Sequence, residues 1–417
     1  MKNTFRILGI AAFVALIGFT MAACGDGGGG GGGNPVVPSG PNATSLSISP
    51  RYETIKLGET LKPTVTIRPS DAPIINWRSN DTDVATVGSD GTISSKSIGK
   101  VIVTVTAKGG KTDTCTIYVE PDLKTVANFN LNFEKCVYGN GRFVAGGMYG
   151  KIAWSENGID WTEVDSKFTS KSTDVIYDIA YGNGTFVAVG GETSSDSWTS
   201  AYKLVYSNTR GTSWTIGTTG ISGEGSFGSV TFGNNIFLAG GSKGLIISSQ
   251  DGKTWKTVAT NIFGGTYLVE NLAYGNNTFV ATSRSKIAYS TNNGANWTII
   301  DDEKRPFDYE FINRIVFGKG KFVAISNSFS AHVAYSVDGK NWTALTSPFF
   351  ASNPKCITYG DGIFIGGGTW RFEYSRDGIS WSSRRETEGH YSWVVIGNGM
   401  FVGNYEHNLI YAPVVLR

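Results

Sequence analysis

One phrase recurs seven times along this chain and constrains its fold more than any other feature. The copies are CVYGNGRFVAGG from Cys136, IAYGNGTFVAVGG from Ile179, VTFGNNIFLAGG from Val230, LAYGNNTFVAT from Leu272, IVFGKGKFVAIS from Ile315, ITYGDGIFIGGG from Ile357 and VVIGNGMFVGN from Val394. With the aromatic residue (or Ile396) before the first glycine as the marker, they fall at Tyr138, Tyr181, Phe232, Tyr274, Phe317, Tyr359 and Ile396. A spacing of roughly 40 to 50 residues is the length of one four-stranded propeller blade.

A second signature follows six of the openings: IAWSENGIDWTEV, LVYSNTRGTSWTI, IISSQDGKTWKTV, IAYSTNNGANWTII, VAYSVDGKNWTAL and FEYSRDGISWSSR. Together the two signatures predict four strands per unit, here A to D. Asn-Gly or a relative closes the A–B hairpin, where positive φ is required, and Asp-Gly, Asn-Gly or Arg-Gly closes C–D. The last unit lacks a D strand after NLIYAP, and TVANFNL (Thr125–Leu131) alternates suitably to supply it, leaving no open edge at the seam.

The C–D signature resembles the Asp-box of sialidase-type and related propellers. Ser290, Asn292, Gly294 and Trp297 keep that family's spacing, as do Ser207, Gly211 and Trp214 with Thr209 at the Asp position; the copies ending at Trp161, Trp255, Trp342 and Trp381 are one residue shorter. The resemblance implies a local structural role for Asp251, Asp338 and Asp377, whose side chains cap backbone N–H groups while each Trp packs between blades. Calcium prefers six to eight oxygens, more than one such turn offers.

Upstream, LSISPRYETIKLGETLKPTVTIRP and INWRSNDTDVATVGSDGTISSKSIGKVIVTVTA read as alternating strands and turns. Trp77, Ser79, Asp83-Val84-Ala85, Asp90-Gly91, Gly99 and the run VIVTVT are similar to the bacterial Ig-like domain of group 2, whose members often serve as spacers or adhesin parts. Physically, Trp77 is a core anchor, Asp90-Gly91 a hairpin turn, and Val101, Val103 and Val105 one buried face.

The first 23 residues read as a sorting signal: Lys2 and Arg6, then the apolar stretch Ile7–Thr20. Met21 to Cys24 (MAAC) resembles the lipobox of bacterial lipoproteins, which implies cleavage before Cys24 and its lipidation. Residues 24–44, rich in Gly, Pro and Ser, cannot bury a core and predict a tether with a reach of roughly 25 Å. Near-balanced charge, 36 basic against 34 acidic side chains, excludes nucleic acid as a natural partner. Cys136 and Cys356 share one repeat position in separated units, so no disulfide is expected within the propeller.

No catalytic constellation is visible. Arg142, Arg210, Arg284 and Arg314 occupy different repeat positions, the carboxylates are mostly turn or loop residues, and His332, His390 and His407 lie in different units. Binding fits better. The A–B and C–D turns are short and repetitive, whereas the opposite face varies: an insertion at 191–203 carries Trp198 and Tyr202, GTWRF carries Trp370 and Arg371, and the D–A connections carry Tyr309, His390 and Tyr391. Aromatic and arginine side chains on one face suit protein or glycan contacts.

The reading is an all-β chain: signal peptide 1–23, tether 24–44, an N-terminal Ig-like β-sandwich 45–120 and a seven-bladed β-propeller 121–417. The expected function is a lipid-anchored, monomeric, non-enzymatic binding module of the bacterial cell envelope, periplasmic or surface-exposed, without cofactor or metal. A carbohydrate-active enzyme and an assembly factor for a membrane complex are the alternatives.

Overall fold

The computed structural model describes residues 38–126, 132–168, 173–192, 201–265, 267–307, 311–326, 333–345, 354–406 and 408–414. The expected signal, Cys24 and most of the tether lie outside them, as do Trp198, Tyr309, His332, His407 and residues 127–131. The regular structure is strand, with two short 3-10 turns at Ser242–Gly244 and Asp302–Lys304. Among the described residues no helix is long and apolar enough to cross a membrane.

In the N-terminal domain a four-stranded sheet runs Tyr52–Lys56, Thr112–Glu120, Gly99–Ala107, Ile74–Ser79, with the first pair parallel. The VIVTVT alternation buries Val101, Val103 and Val105 completely, as period-2 patterning requires. Trp77 is half-buried against this core. A β-carbon on Gly91, whose φ is +84°, would come within 2.6 Å of Trp77 Cζ2, so the turn needs glycine for both conformation and space. Asp90 Oδ1 accepts the Thr92 N–H at 3.0 Å. The packed domain begins earlier than the expected boundary, because Ala43 is buried and its N–H donates to Lys108 O at 2.7 Å.

The first five repeats each form a four-stranded antiparallel meander, the first comprising Phe133–Gly139, Arg142–Gly147, Ile152–Ser155 and Thr162–Val164. At its A–B turn Asn140 and Gly141 both have positive φ, 49° and 76°, the pair a type I′ turn demands. The last two repeats differ from expectation. Ile363–Ser375 and Ser382–Gly397 are extended throughout and belong to one six-stranded sheet, so GTWRF and Thr387–Trp393 are strand, not loop. Thr369 pairs with His390 across them. Phe364 still sits 6.2 Å from Trp381, as Phe322 does 6.4 Å from Trp342, so the sixth repeat keeps the packing of the fifth.

Within that sheet Asn408–Pro413 pairs antiparallel with the edge strand Lys124–Thr125, and Val126 N–H donates to Leu409 O at 2.8 Å. The seam is thus paired at the beginning of the stretch expected to supply the missing strand.

Neighbouring repeats are joined by one recurring contact. The glycine after each marker has no room for a β-carbon because the next marker occupies it: Gly139 faces Tyr181, Gly182 Phe232, Gly233 Tyr274, Gly275 Phe317, Gly318 Tyr359 and Gly360 Ile396, and Gly397 faces Tyr138. The series returns to its start.

The C–D turns carry the expected capping. Ser249 Oγ accepts Gly252 N–H at 2.9 Å, Asp251 Oδ1 accepts Lys253 and Thr254 N–H at 2.9 and 3.1 Å, and Trp255 Nε1 donates to Gly252 O at 3.0 Å. Asp338 and Asp377 accept the corresponding N–H pairs. The indoles of Trp161, Trp214, Trp297 and Trp342 repeat the bond to the turn glycine. These carboxylates are occupied by their own turns.

The N-terminal domain is fastened to the repeats. Ile98 is fully buried in a cluster with Phe372, Tyr374, Phe401 and Val414, and its N–H donates to Val414 O at 3.1 Å. Beside it the Arg376 guanidinium donates to Ser97 Oγ.

Cys115, Cys136 and Cys356 are free, buried thiols. Burial pushes the Cys115 thiol up to about 11 and Cys356 to about 12, with Cys136 higher still.

Candidate functional site

In a meander that starts at its inner strand, the B–C and D–A connections fall at one end and the A–B and C–D turns at the other. The A strands of all seven repeats line a channel of about 500 Å³, and each begins at the loop end. The residue three before each marker lies toward the loop end of its inner strand: Lys135, Asp178, Ser229, Asn271, Arg314, Cys356 and Trp393; Lys135 and Asp178 line the channel, whereas Cys356 and Trp393 are buried in apolar clusters. The next position is apolar in every copy and the one after it Val, Ala or Thr; this one is different in every copy. This variation is legible in the sequence one position upstream of each recurring phrase.

Most of this belt stitches one repeat to the next. Asp178 Oδ2 accepts Val230 N–H at 3.0 Å, and Lys135 Nζ lies 3.3 Å from Asp178 Oδ1. Ser229 Oγ donates to Val269 O at 3.1 Å, and Asn271 Nδ2 donates to Ile312 O at 3.3 Å. Asn313, one position earlier, donates to Pro354 O. Arg314 donates to Asn271 Oδ1 at 3.4 Å. Glu270 is half-buried, and desolvation raises its carboxyl above the ordinary value despite the Arg284 N–H it accepts and the charges of Arg284 and Arg314 nearby. Arginines that looked scattered along the chain therefore converge in pairs. Arg284 and Arg314 flank Glu270 at the loop end, while Arg142 and Arg210 lie 2.8 and 4.0 Å from Glu156 at the turn end.

The residues expected on the variable face are not brought together as one site. Tyr202 is half-buried, packs 4.9 Å from Phe227 and lines a separate groove of about 640 Å³ with Glu224, Lys243 and Asn261. Arg371 donates to Ser383 Oγ at 2.9 Å, and His390 Nδ1 lies 3.1 Å from Glu406. Tyr391 is a correction: it has no exposure and packs 5.8 Å from Phe372 and 4.9 Å from Tyr405, because strand alternation turns it inward. Nothing is described of the Trp370 side chain.

One buried carboxyl stands apart from the mouth. Glu373 holds the C-strand position occupied by Ala288 in the fourth repeat and Ala334 in the fifth, and it is 1% exposed. Burial pushes the group up to about 9, against the opposing charge of Arg371 and the hydroxyl of Ser383 nearby. It is a packing anomaly, closed off from the channel. No cluster of three or more metal-ligating side chains occurs among the described residues.

Comparison with known proteins agrees with this two-part architecture. Residues 42–117 match the bacterial Ig-like domain (group 2). No curated protein matches the chain in sequence. Among solved structures, YCF48 bound to D1 peptide is similar at 14% identity and TM-score 0.55, covering 71% of this chain and 96% of that one. The WD40 β-propeller domain of Doa1 is similar at 13% and 0.52, over 70% and 96%. A catalytically inactive virginiamycin B lyase from Staphylococcus aureus with quinupristin is similar at 12% and 0.58, over 71% and 100%. At these identities the likeness establishes the β-propeller fold and nothing about chemistry.

Proposed function

We propose that this chain is a lipid-anchored, extracytoplasmic lipoprotein whose seven-bladed propeller, closed at its seam by Lys124–Thr125, is a non-enzymatic binding module for a protein or glycan. Cys24 is the lipidated residue, and the Asp-box-like turns are structural. The observation that carries this reading is the contrast between the two ends of the repeats: the A–B and C–D turns repeat, whereas the loop end differs from copy to copy and holds the exposed Arg284 and Phe311 with the half-buried Arg314. Variation confined to one end of a repetitive scaffold is the pattern of a recognition surface. The likeness to YCF48, solved with a bound peptide, supports the binding reading. An assembly role at a membrane complex is one form of the same reading.

The test is a glycan array together with a pull-down from membrane extract, both with the full chain. Saturable capture of one protein or one glycan class supports the proposal. Turnover of a captured glycan would move the chain to the enzyme reading, and silence in both assays would overturn binding as its function. Palmitate labelling that survives Cys24→Ser would overturn the anchor.

A further inference from the structure

Resting on the binding reading, we infer that the loop-end surface formed by Tyr267, Arg284 and Phe311, with Arg314 beside it, recognises an acidic protein segment, an Asp or Glu side chain flanked by apolar residues.

Arg284 is exposed, yet its position is fixed. Its backbone holds a left-handed φ of 49°, its N–H donates to Glu270 Oε2 at 2.7 Å, and its carbonyl accepts Ile312 N–H at 2.9 Å. Its guanidinium carbon lies 5.6 Å from the Tyr267 ring centre and 5.9 Å from that of Phe311. Glu270 is the neighbouring carboxylate whose charge both arginines feel, and among the described residues no carboxylate lies within ion-pair distance of either guanidinium. The other cations of these loops are engaged. Lys286 donates to Phe263 O at 2.9 Å, Arg305 to Ser285 Oγ at 3.0 Å, and Asp301 and Asp302 pair with Lys304 and Arg305.

A guanidinium held between aromatic rings presents its N–H edge outward, the geometry that takes a carboxylate in a bidentate manner. Phe311 is 50% exposed beside it and supplies an apolar contact; arginine and aromatic side chains of this kind dominate interface energetics. An acidic glycan offers the same carboxylate but stacks its sugar on an open ring face. The Tyr267 ring already carries two cations, Arg284 and Lys286, the latter at 4.7 Å. Protein is therefore the partner class.

The experiment selects a random peptide library on the full chain in detergent micelles and uses the enriched peptides as probes. The expected result is an excess of Asp and Glu next to apolar residues, with affinity that weakens as salt rises. Arg284→Ala and Phe311→Ala should each weaken the probes about tenfold, and Arg284→Lys by less, since it keeps the charge and loses the fork. Arg210→Ala at the turn end should change nothing. Enriched peptides without acidic bias, or unmoved by Arg284→Ala in a variant with unchanged thermal unfolding, would overturn this inference and leave the binding reading standing. Arg284-dependent capture of polygalacturonate in place of any peptide would also overturn it, assigning the surface to acidic glycan. If no peptide is enriched, the inference fails, and the glycan array decides the broader reading independently.

Discussion

A β-carbon on Gly397 would stand 2.0 Å from Cγ of Tyr138, so the last copy of the recurring phrase packs directly on the first. Gly397→Ala should destabilise the repeat domain by about 2 kcal/mol, because the ring must move and the inner strand moves with it. Tyr138→Ala removes the obstacle, so the double variant should cost less than the two single changes combined. Denaturant unfolding checks this, and strictly additive costs would show that the two residues do not meet.

Ile98 belongs to the N-terminal domain by sequence and to the repeat core by burial. The intact chain should therefore unfold with both domains coupled in one calorimetric transition. Ile98→Ala should cost about 2 to 5 kcal/mol, as for other fully buried aliphatic truncations, and separate the two transitions. Two independent transitions in the unaltered chain would contradict the fastening.

The turn carboxylates act at low pH. Backbone N–H groups of Lys340 and Asn341 hold Asp338 down at about 2 against the burial that opposes them. A lowered folded-state value gives stability that is present above the ordinary carboxylate range and lost as pH falls toward 2. Asp338 is near the surface, so solvent screening trims the effect. Asp338→Ala should cost about 1 kcal/mol at neutral pH, comparable to losing a helix cap, and should flatten the acid limb of the stability curve.

Glu373 has the opposite sign. Its folded value of about 9 lies above the ordinary 4.5, so between those two values the unfolded chain gives up a proton that the folded chain keeps. Stability from this site should fall as pH rises from about 4.5 to about 9 and level off beyond. Glu373→Gln cannot ionise. It should remove that slope and leave the chain more stable than the parent at pH 8. Thermal unfolding across this range checks the sign; a variant as pH-dependent as the parent would place the slope elsewhere.

Much of the architecture was legible because it repeats. Asn140-Gly141 requires positive φ wherever it occurs, and Val101, Val103 and Val105 alternate whatever surrounds them, so local pattern and final structure agree. Tyr391 was misread because a sequence does not say where a strand ends; Ser382–Gly397 continues through the expected loop, and alternation then buries the ring. The arginines were misread for a different reason. Arg284 and Arg314 are 30 residues apart in the chain; Arg284 meets Glu270 through strand pairing inside the fourth repeat, and Arg314 joins them only through the packing of the fifth repeat on the fourth. Ile98 carried no mark of its role, since a buried isoleucine looks the same whether its neighbours come from its own domain or the next.

The measurement that bears most directly on the account is recovery of the natural partner from membrane extract by the full chain, compared with Arg284→Ala and Phe311→Ala at the loop end and Arg210→Ala at the turn end. The account predicts that the partner is lost with either loop-end change and retained with Arg210→Ala. Loss with Arg210→Ala alone, with both loop-end variants binding normally, would put recognition on the repetitive face and contradict it.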